Sequence, residues 1–200
     1  MILTLVAESV ALFRAGLLAL LAEQSNIKVI AELDRADLII PTALASQPRV
    51  AMIDEKITGT SFATIRALTE KVPNCRSMVM ATVCNPSRLR EAIAAGADGF
   101  VAKEAAPDKI IEAVRRVASG QKALDPDLAF SALNAPASPL TPREIDVLRL
   151  AAAGAPAMEI ASELYLSVGT VRNYISRAIG KTGARTRVDA IRIAEGAGWL

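Results

Sequence analysis

The sequence predicts a chain in two parts, an α/β domain on a parallel sheet followed by an all-α domain. Two observations predict it directly. Over the first 120 residues, short continuous apolar runs alternate with helix-length amphipathic stretches. From residue 139 onward, four helix-length patterns follow one another with no strand-like run. A third observation separates the parts. The stretch QKALDPDLAFSALNAPASP carries three prolines and no sustained period, which marks a linker over 121–138 with one short helical piece at DPDLAFSAL.

The apolar runs are ILTLVA (2–7), IKVIAEL (27–33), RVAMID (49–54), RSMVMAT (76–82) and GFVA (99–102). Runs of this kind suit strands buried on both faces of a parallel sheet. The stretches between them are VALFRAGLLALLAEQ, a segment around DLIIPTALASQ, SFATIRALTEKV, PSRLREAIAAG and PDKIIEAVRRVASG. Pro41 is expected to break the second of these helices. Five β-α units over residues 1–120 make a flavodoxin-like, doubly wound (βα)5 domain, with its site at the carboxyl ends of the strands.

Residues 139–200 open with TPREIDVLRLAAAG. Thr141 is placed as N-cap, Pro142 at the first helical position and Glu144 at the third, which is a capping box. Gly154 can end this helix. PAMEIASEL, a turn at Tyr165-Leu166-Ser167 and a basic helix then make a helix-turn-helix over 156–180, and RVDAIRIAEGAGW follows. Ile160, Ala161, Leu164, Leu166, Val171 and Ile175 supply its expected core.

Composition narrows the function. The chain has 200 residues, is 52% hydrophobic and has a net charge of +2, which excludes a disordered polycation. It has no histidine, which removes Ser-His-Asp and Cys-His catalysis and the usual zinc sites. Cys75 and Cys84 fit no metal spacing and read as small apolar fillers. No enzyme is expected. No apolar run reaches the roughly 18–20 residues of a membrane span, and MILTLVAES lacks a basic leader. A cytoplasmic protein with no membrane partner is expected.

Positive charge concentrates in SVGTVRNYISRAIGKTGARTR (167–187), which has five basic residues and no acidic one. On a helix, Val171, Ile175, Ala178 and Ile179 fall on one side, and Arg172, Asn173, Ser176 and Gly180 on the other, with Arg177 at the edge. A packed back and a cationic front suit the DNA major groove, where Arg and Asn can pair bidentately with base edges. Ser167 can cap this helix and leave its N-terminal N–H groups facing a phosphate. The competing readings are a solvated basic surface and a protein-interaction module without DNA binding.

From Leu140 to Leu200 the sequence resembles the DNA-binding domain of the LuxR/NarL/FixJ family. The landmarks are LTPREIDVLRLAAAG, EIASEL, LSVGTVRNYISRAIGKTGARTR and VDAIRIAEGAGWL, in that order and spacing. The resemblance implies that Arg172, Asn173 and Ser176 face bases, and that Ser167, Thr170, Tyr174, Arg177 and Lys181 face phosphates. It implies structural roles for Glu144 and Ile160. It implies a dimer surface on the last helix at Ile191, Ala194 and Trp199, although Trp199 also reads as a terminal core plug. Ala157 and Met158 stand where the family usually has a polar or basic pair, so a phosphate contact from the first helix is expected to be missing.

Residues 1–120 resemble response-regulator receiver domains. Asp54, in PRVAMIDEKITG, takes the place of the phosphoacceptor; Thr82 and Lys103 take those of the residues that stabilise the phosphoryl group; Phe100 takes that of the switch aromatic. Receivers hold Mg²⁺ with an acidic pair and the phosphoacceptor, which here implies Glu8 and Asp54 as ligands. Ser9 stands where an aspartate is expected, leaving the site one negative charge short. Thr58-Gly59 stands in place of the usual Pro-Gly. Two readings stay open: a phosphoprotein labelled at Asp54 by a sensor histidine kinase in a two-component system, and an atypical receiver with weakened or lost Mg²⁺-dependent phosphorylation. The effector face is expected around Thr82, Phe100 and the helix that follows. Together the two resemblances imply a sequence-specific transcriptional regulator that binds double-stranded DNA as a homodimer, since two half-sites multiply specificity.

Overall fold

Apolar runs of four to seven residues can satisfy their backbone while both faces are buried by forming a parallel ladder under helices. In the computed structural model, which describes residues 1–58, 62–82, 86–126, 128–130 and 138–200, they form one such sheet. Its strands are β1 (Ile2–Ala7), β2 (Ile27–Leu33), β3 (Val50–Asp54), β4 (Arg76–Ala81), β5 (Gly99–Ala102) and β6 (Ala123–Leu124), in the order β2-β1-β3-β4-β5-β6. Every pairing is parallel. All five residues of β3 are buried. The order reverses between β1 and β3, so the crevice at their carboxyl ends is the place where a site is expected.

The helices of this unit are α1 (Ala11–Ala22), α2 (Ile39–Ser46), α3 (Glu55–Thr58), α4 (Ala63–Lys71), α5 (Pro86–Ala94) and α6 (Pro107–Ala118). Leu17 and Leu21 of α1 and Ile110, Val114 and Val117 of α6 pack with Val6, Met52, Met78 and Met80 of the sheet. A Cβ on Gly99 would stand 2.8 Å from Met78 Cγ and 3.0 Å from Val117 Cγ2, so α6 can lie this close to the sheet only over glycine.

Three features depart from the sequence expectation. Pro41 does not break a helix. It is the third residue of α2, in the first turn, where an N–H has no intrahelical acceptor to lose. α3 adds a short turn directly after β3. The segment expected to start the linker instead adds a sixth strand, with Ala123 beside Gly99 and Leu124 beside Phe100. Beyond it, Asp125 Oδ1 accepts from the Leu128 N–H and Asp125 O from the Ala129 N–H, which makes one helical turn. The remainder of the helical piece expected at DPDLAFSAL lies outside the described residues.

The chain divides into two compact units, and the division after Phe130 falls within the expected linker. Among the described residues, the second unit has the helices α7 (Pro142–Ala152), α8 (Ala157–Glu163), α9 (Val168–Thr182) and α10 (Arg187–Gly196). The capping box of α7 is present: Thr141 Oγ1 accepts from the Glu144 N–H at 3.4 Å and Glu144 Oε2 from the Thr141 N–H at 2.7 Å. Val147, Ala151, Ile160, Ala161 and Val171 form one buried cluster, with Leu164, Leu166 and Ile175 packed on it. Leu140, Ile145, Leu148, Ala178 and Ala194 form another. Among the described residues no helix is long and apolar enough to cross a membrane. Cys75 is buried, and burial, with a smaller push from Asp98, raises its thiol to about 11, as befits an apolar filler.

Candidate nucleic-acid interface and acidic pocket

The acidic pocket is assembled by strand ends. Glu8 follows β1, Asp54 ends β3 and Lys103 follows β5. Glu8 and Asp54 are both fully buried. The Lys103 ammonium lies 2.8 Å from Glu8 Oε2 and 2.8 Å from Asp54 Oδ1, with its own side chain only 8% exposed. It also donates to Glu8 Oε1 at 2.9 Å and stands 5.1 Å from the centroid of the Phe13 ring. Two buried carboxylates are thus held by one ammonium, and the group is stable only because each charge has a partner.

The remaining lone pairs are taken mostly by the chain itself. Asp54 Oδ1 accepts from the Lys56 N–H at 3.1 Å; Asp54 Oδ2 accepts from the Ser9 hydroxyl and, at 3.4 Å, from the Ser9 N–H. Glu8 Oε1 accepts from the Val10 N–H at 2.9 Å. Among the described residues, Glu8 Oε2 has the Lys103 ion pair and no further partner. Burial acts most strongly on Asp54 and would raise its pKa; hydrogen bonds from Lys103, Ser9 and the Lys56 N–H outweigh it and hold the carboxyl below its ordinary value. Arg14 donates to Glu8 O at 2.6 Å and to Glu32 Oε1 at 2.8 Å, which ties α1 to the pocket rim.

The structure therefore brings Glu8, Ser9, Asp54 and Lys103 together. Thr82 lies exposed just past β4 and joins none of these contacts. Phe100 is 1% exposed and packs in the core of the sheet unit. Thr58 is buried and donates to Glu55 O at 2.8 Å, while Gly59 lies outside the described residues.

In the second unit α9 has the expected two sides. Val171 and Ala178 are buried, whereas Arg172, Asn173, Ser176, Arg177 and Gly180 are exposed. Ser167 is its N-cap: its Oγ accepts from the Thr170 N–H at 3.1 Å and lies 2.8 Å from Thr170 Oγ1. Tyr174 is half-buried against the Val171 cluster. Lys181 has a partner that sequence reasoning missed. Its ammonium lies 2.7 Å from Glu144 Oε2, so in the unbound protein it closes the α7 capping box rather than standing free for a phosphate.

A model of bacterial regulatory proteins of the luxR family matches residues 138–194. The response regulator RamR of Streptomyces coelicolor is 43% identical over 190 residues, covering 94% of this chain and 93% of that relative. The chain belongs to the LuxR family of response regulators. The DNA-binding transcriptional activator DevR/DosR of Mycobacterium tuberculosis is 30% identical over 188 residues, covering 88% of this chain and 86% of its own length. The Salmonella typhimurium response regulator RcsB shares the fold, with a TM-score of 0.77 at 20% identity and 98% of each chain covered. The regulator is accordingly a DNA-binding transcription factor of response-regulator type and not an enzyme. The reading without DNA binding falls away.

One assignment on the last helix needs correction. Ala194 is fully buried in the Leu140 cluster, and Ile191 and Trp199 pack against that cluster from within the same unit. Ala194 is therefore withdrawn from the expected dimer surface, while Ile191 and Trp199 stay partly exposed. Trp199 is half-buried against the core, in the manner of a terminal plug. The exposed positions of α10 are Val188, Arg192, Glu195 and Gly196.

Proposed function

We propose that the regulator reads double-stranded DNA with α9 and is controlled through a receiver that does not rely on Mg²⁺-dependent phosphorylation. On the DNA side, Arg172, Asn173 and Ser176 face bases; Ser167, Thr170, Tyr174 and Arg177 face phosphates. Lys181 joins them only by giving up Glu144. The exposure of every polar residue on one side of α9, above a buried back, supports this division. Binding as a homodimer follows from the short reach of one recognition helix. Replacing Arg172 or Asn173 by alanine is expected to erase preference among genomic fragments; variants that rank the fragments as wild type does would refute the assignment.

On the receiver side, the observation that carries the reading is the saturation of Asp54. Both of its oxygens are occupied, by Lys103, Ser9 and the Lys56 N–H. Among the described residues no group of three His, Cys, Asp or Glu could hold a metal. The donors left to Mg²⁺ are Glu8, Asp54 and a neutral hydroxyl, with an ammonium already between the two carboxylates, and this set does not fit a resident divalent ion. Control then comes from dimerisation, a protein partner or a small ligand that shifts an existing equilibrium. The cytoplasm is the compartment in which this reading places the protein.

The second reading, phosphorylation of Asp54 by a sensor histidine kinase, is favoured by the Lys103–Asp54 contact, because an ammonium there also offsets a phosphoryl group. Acetyl phosphate with Mg²⁺ separates the two. Little labelling of wild type and a gain in Ser9→Asp is the expected result; efficient labelling of wild-type Asp54 would overturn the atypical receiver.

A further inference from the structure

Among the described residues, six helices end in the same backbone motif. After α5, α6, α7, α8, α9 and α10, one residue takes the left-handed conformation and two N–H groups turn back to carbonyls three and five residues earlier. At five of these ends the left-handed residue is glycine: Gly96, Gly120, Gly154, Gly183 and Gly198, with φ between 67° and 98°. At the sixth it is Tyr165, with φ 56°. The Tyr165 N–H bonds to Ser162 O at 3.4 Å and the Leu166 N–H to Ala161 O at 2.8 Å, so the motif is the same and only the residue differs. A side chain there is strained, and glycine would remove the strain.

Nothing inside the folded unit compensates for it. The residue is 96% exposed, so it buries almost no apolar area. Among the described residues its phenol hydroxyl has no hydrogen-bond partner; Tyr174, by contrast, packs on the core. Tyr165 also occupies a particular place, the turn of the helix-turn-helix, two residues before Ser167, the cap of α9. The helix it terminates carries Glu159 and Glu163 and no cation, so α8 brings no charged donor to a DNA backbone. A tyrosine hydroxyl is a donor suited to a phosphate oxygen.

We infer that Tyr165 is a DNA-contacting residue whose hydroxyl donates to a backbone phosphate beside the N-terminus of α9. The strain at this turn is retained for binding, not for folding. The inference rests on α9 being the helix that enters DNA, and it makes Tyr165 a sequence-independent anchor, distinct from the base readers.

The test uses the full chain, fluorescent DNA duplexes of mixed sequence and genomic fragments that wild type prefers. Tyr165→Phe removes one neutral hydrogen bond and is expected to weaken binding about two- to tenfold on every duplex alike. The slope of affinity against salt should not change, because no charge is lost. Tyr165→Gly should weaken binding at least as much while its thermal midpoint equals or exceeds that of wild type. Wild-type affinity in either variant overturns the proposal. Arg172→Ala and Asn173→Ala report on the underlying reading separately: if these leave site preference intact, α9 is not the reader, whatever Tyr165 does.

Discussion

At the scale of single residues, Lys103 is the member of the pocket that the others cannot do without. Glu8 and Asp54 are fully buried, and their charges are tolerated because the ammonium lies 2.8 Å from each. Lys103→Met leaves two buried carboxylates without a counter-charge and should cost about 3–5 kcal/mol, read from urea unfolding. Adding Asp54→Asn to that variant should recover part of the loss, because one of the two orphaned charges is gone. The acid limb of stability carries the same signature. The Asp54 pKa is lowered in the folded protein, so its contribution is complete above the unfolded value of about 3.9 and disappears as pH falls through the lower folded one. Wild type should therefore lose this contribution only below about pH 4, and Asp54→Asn should flatten that limb. Stability that rises toward acid would show that the pocket is not paired as described. Asp54 and Lys103 were legible in the sequence as strand-end residues. The Ser9 hydroxyl bond to Asp54 was not, because residues 45 positions apart meet only once β1 and β3 are neighbours.

At the scale of elements, α7 and α9 are joined by one carboxylate. Glu144 is 2% exposed and serves the Thr141 N–H and Lys181 at once. Burial acts most strongly to raise its pKa, but the bonds from Lys181 and Thr141 hold it below the ordinary value. Thr141→Ala should cost about 1 kcal/mol as an ordinary cap loss. Lys181→Ala should also lower the thermal midpoint, which a residue acting only on phosphates would not do. If its salt slope for DNA binding falls by about one as well, Lys181 serves both partners. Elements were the most legible level of this sequence. The capping box, the cap at Ser167 and the four C-terminal helices followed from residue types at fixed offsets, which act locally. The failures had nonlocal or positional causes. Pro41 suggested a broken helix because sequence does not show where the first turn begins. β6 escaped notice because two residues become a strand only when β5 is there to pair with. Tyr165 escaped because a tyrosine carries no sign of positive φ.

At the scale of the whole molecule, the question is which surface a second copy would cover. The family resemblance put Ile191, Ala194 and Trp199 on a dimer surface, but Ala194 is buried and the other two pack against the unit's own core. An inward stripe and an interface stripe look identical in sequence, since both are rows of apolar side chains. If α10 pairs with its copy, the most exposed stripe is the surface on offer: Val188, Arg192 and Glu195, spaced four and three apart. Val188 is 72% exposed and is the apolar residue available to anchor such a contact. Val188→Asp tests it cleanly. The position is in the first turn of α10, where a carboxylate suits the helix dipole, so folding should be preserved or improved. Dimerisation should weaken roughly fivefold or more by sedimentation equilibrium, the equivalent of about 1 kcal/mol at a buried anchor. Cooperative binding to paired half-sites should fall with it, while binding to one half-site stays as in wild type. Ala194→Asp provides the contrast: it buries a charge in the core and should unfold the unit rather than dissociate it. If Val188→Asp keeps both its mass and its cooperativity, α10 is not the dimer helix and the two-fold contact must be sought elsewhere on the chain.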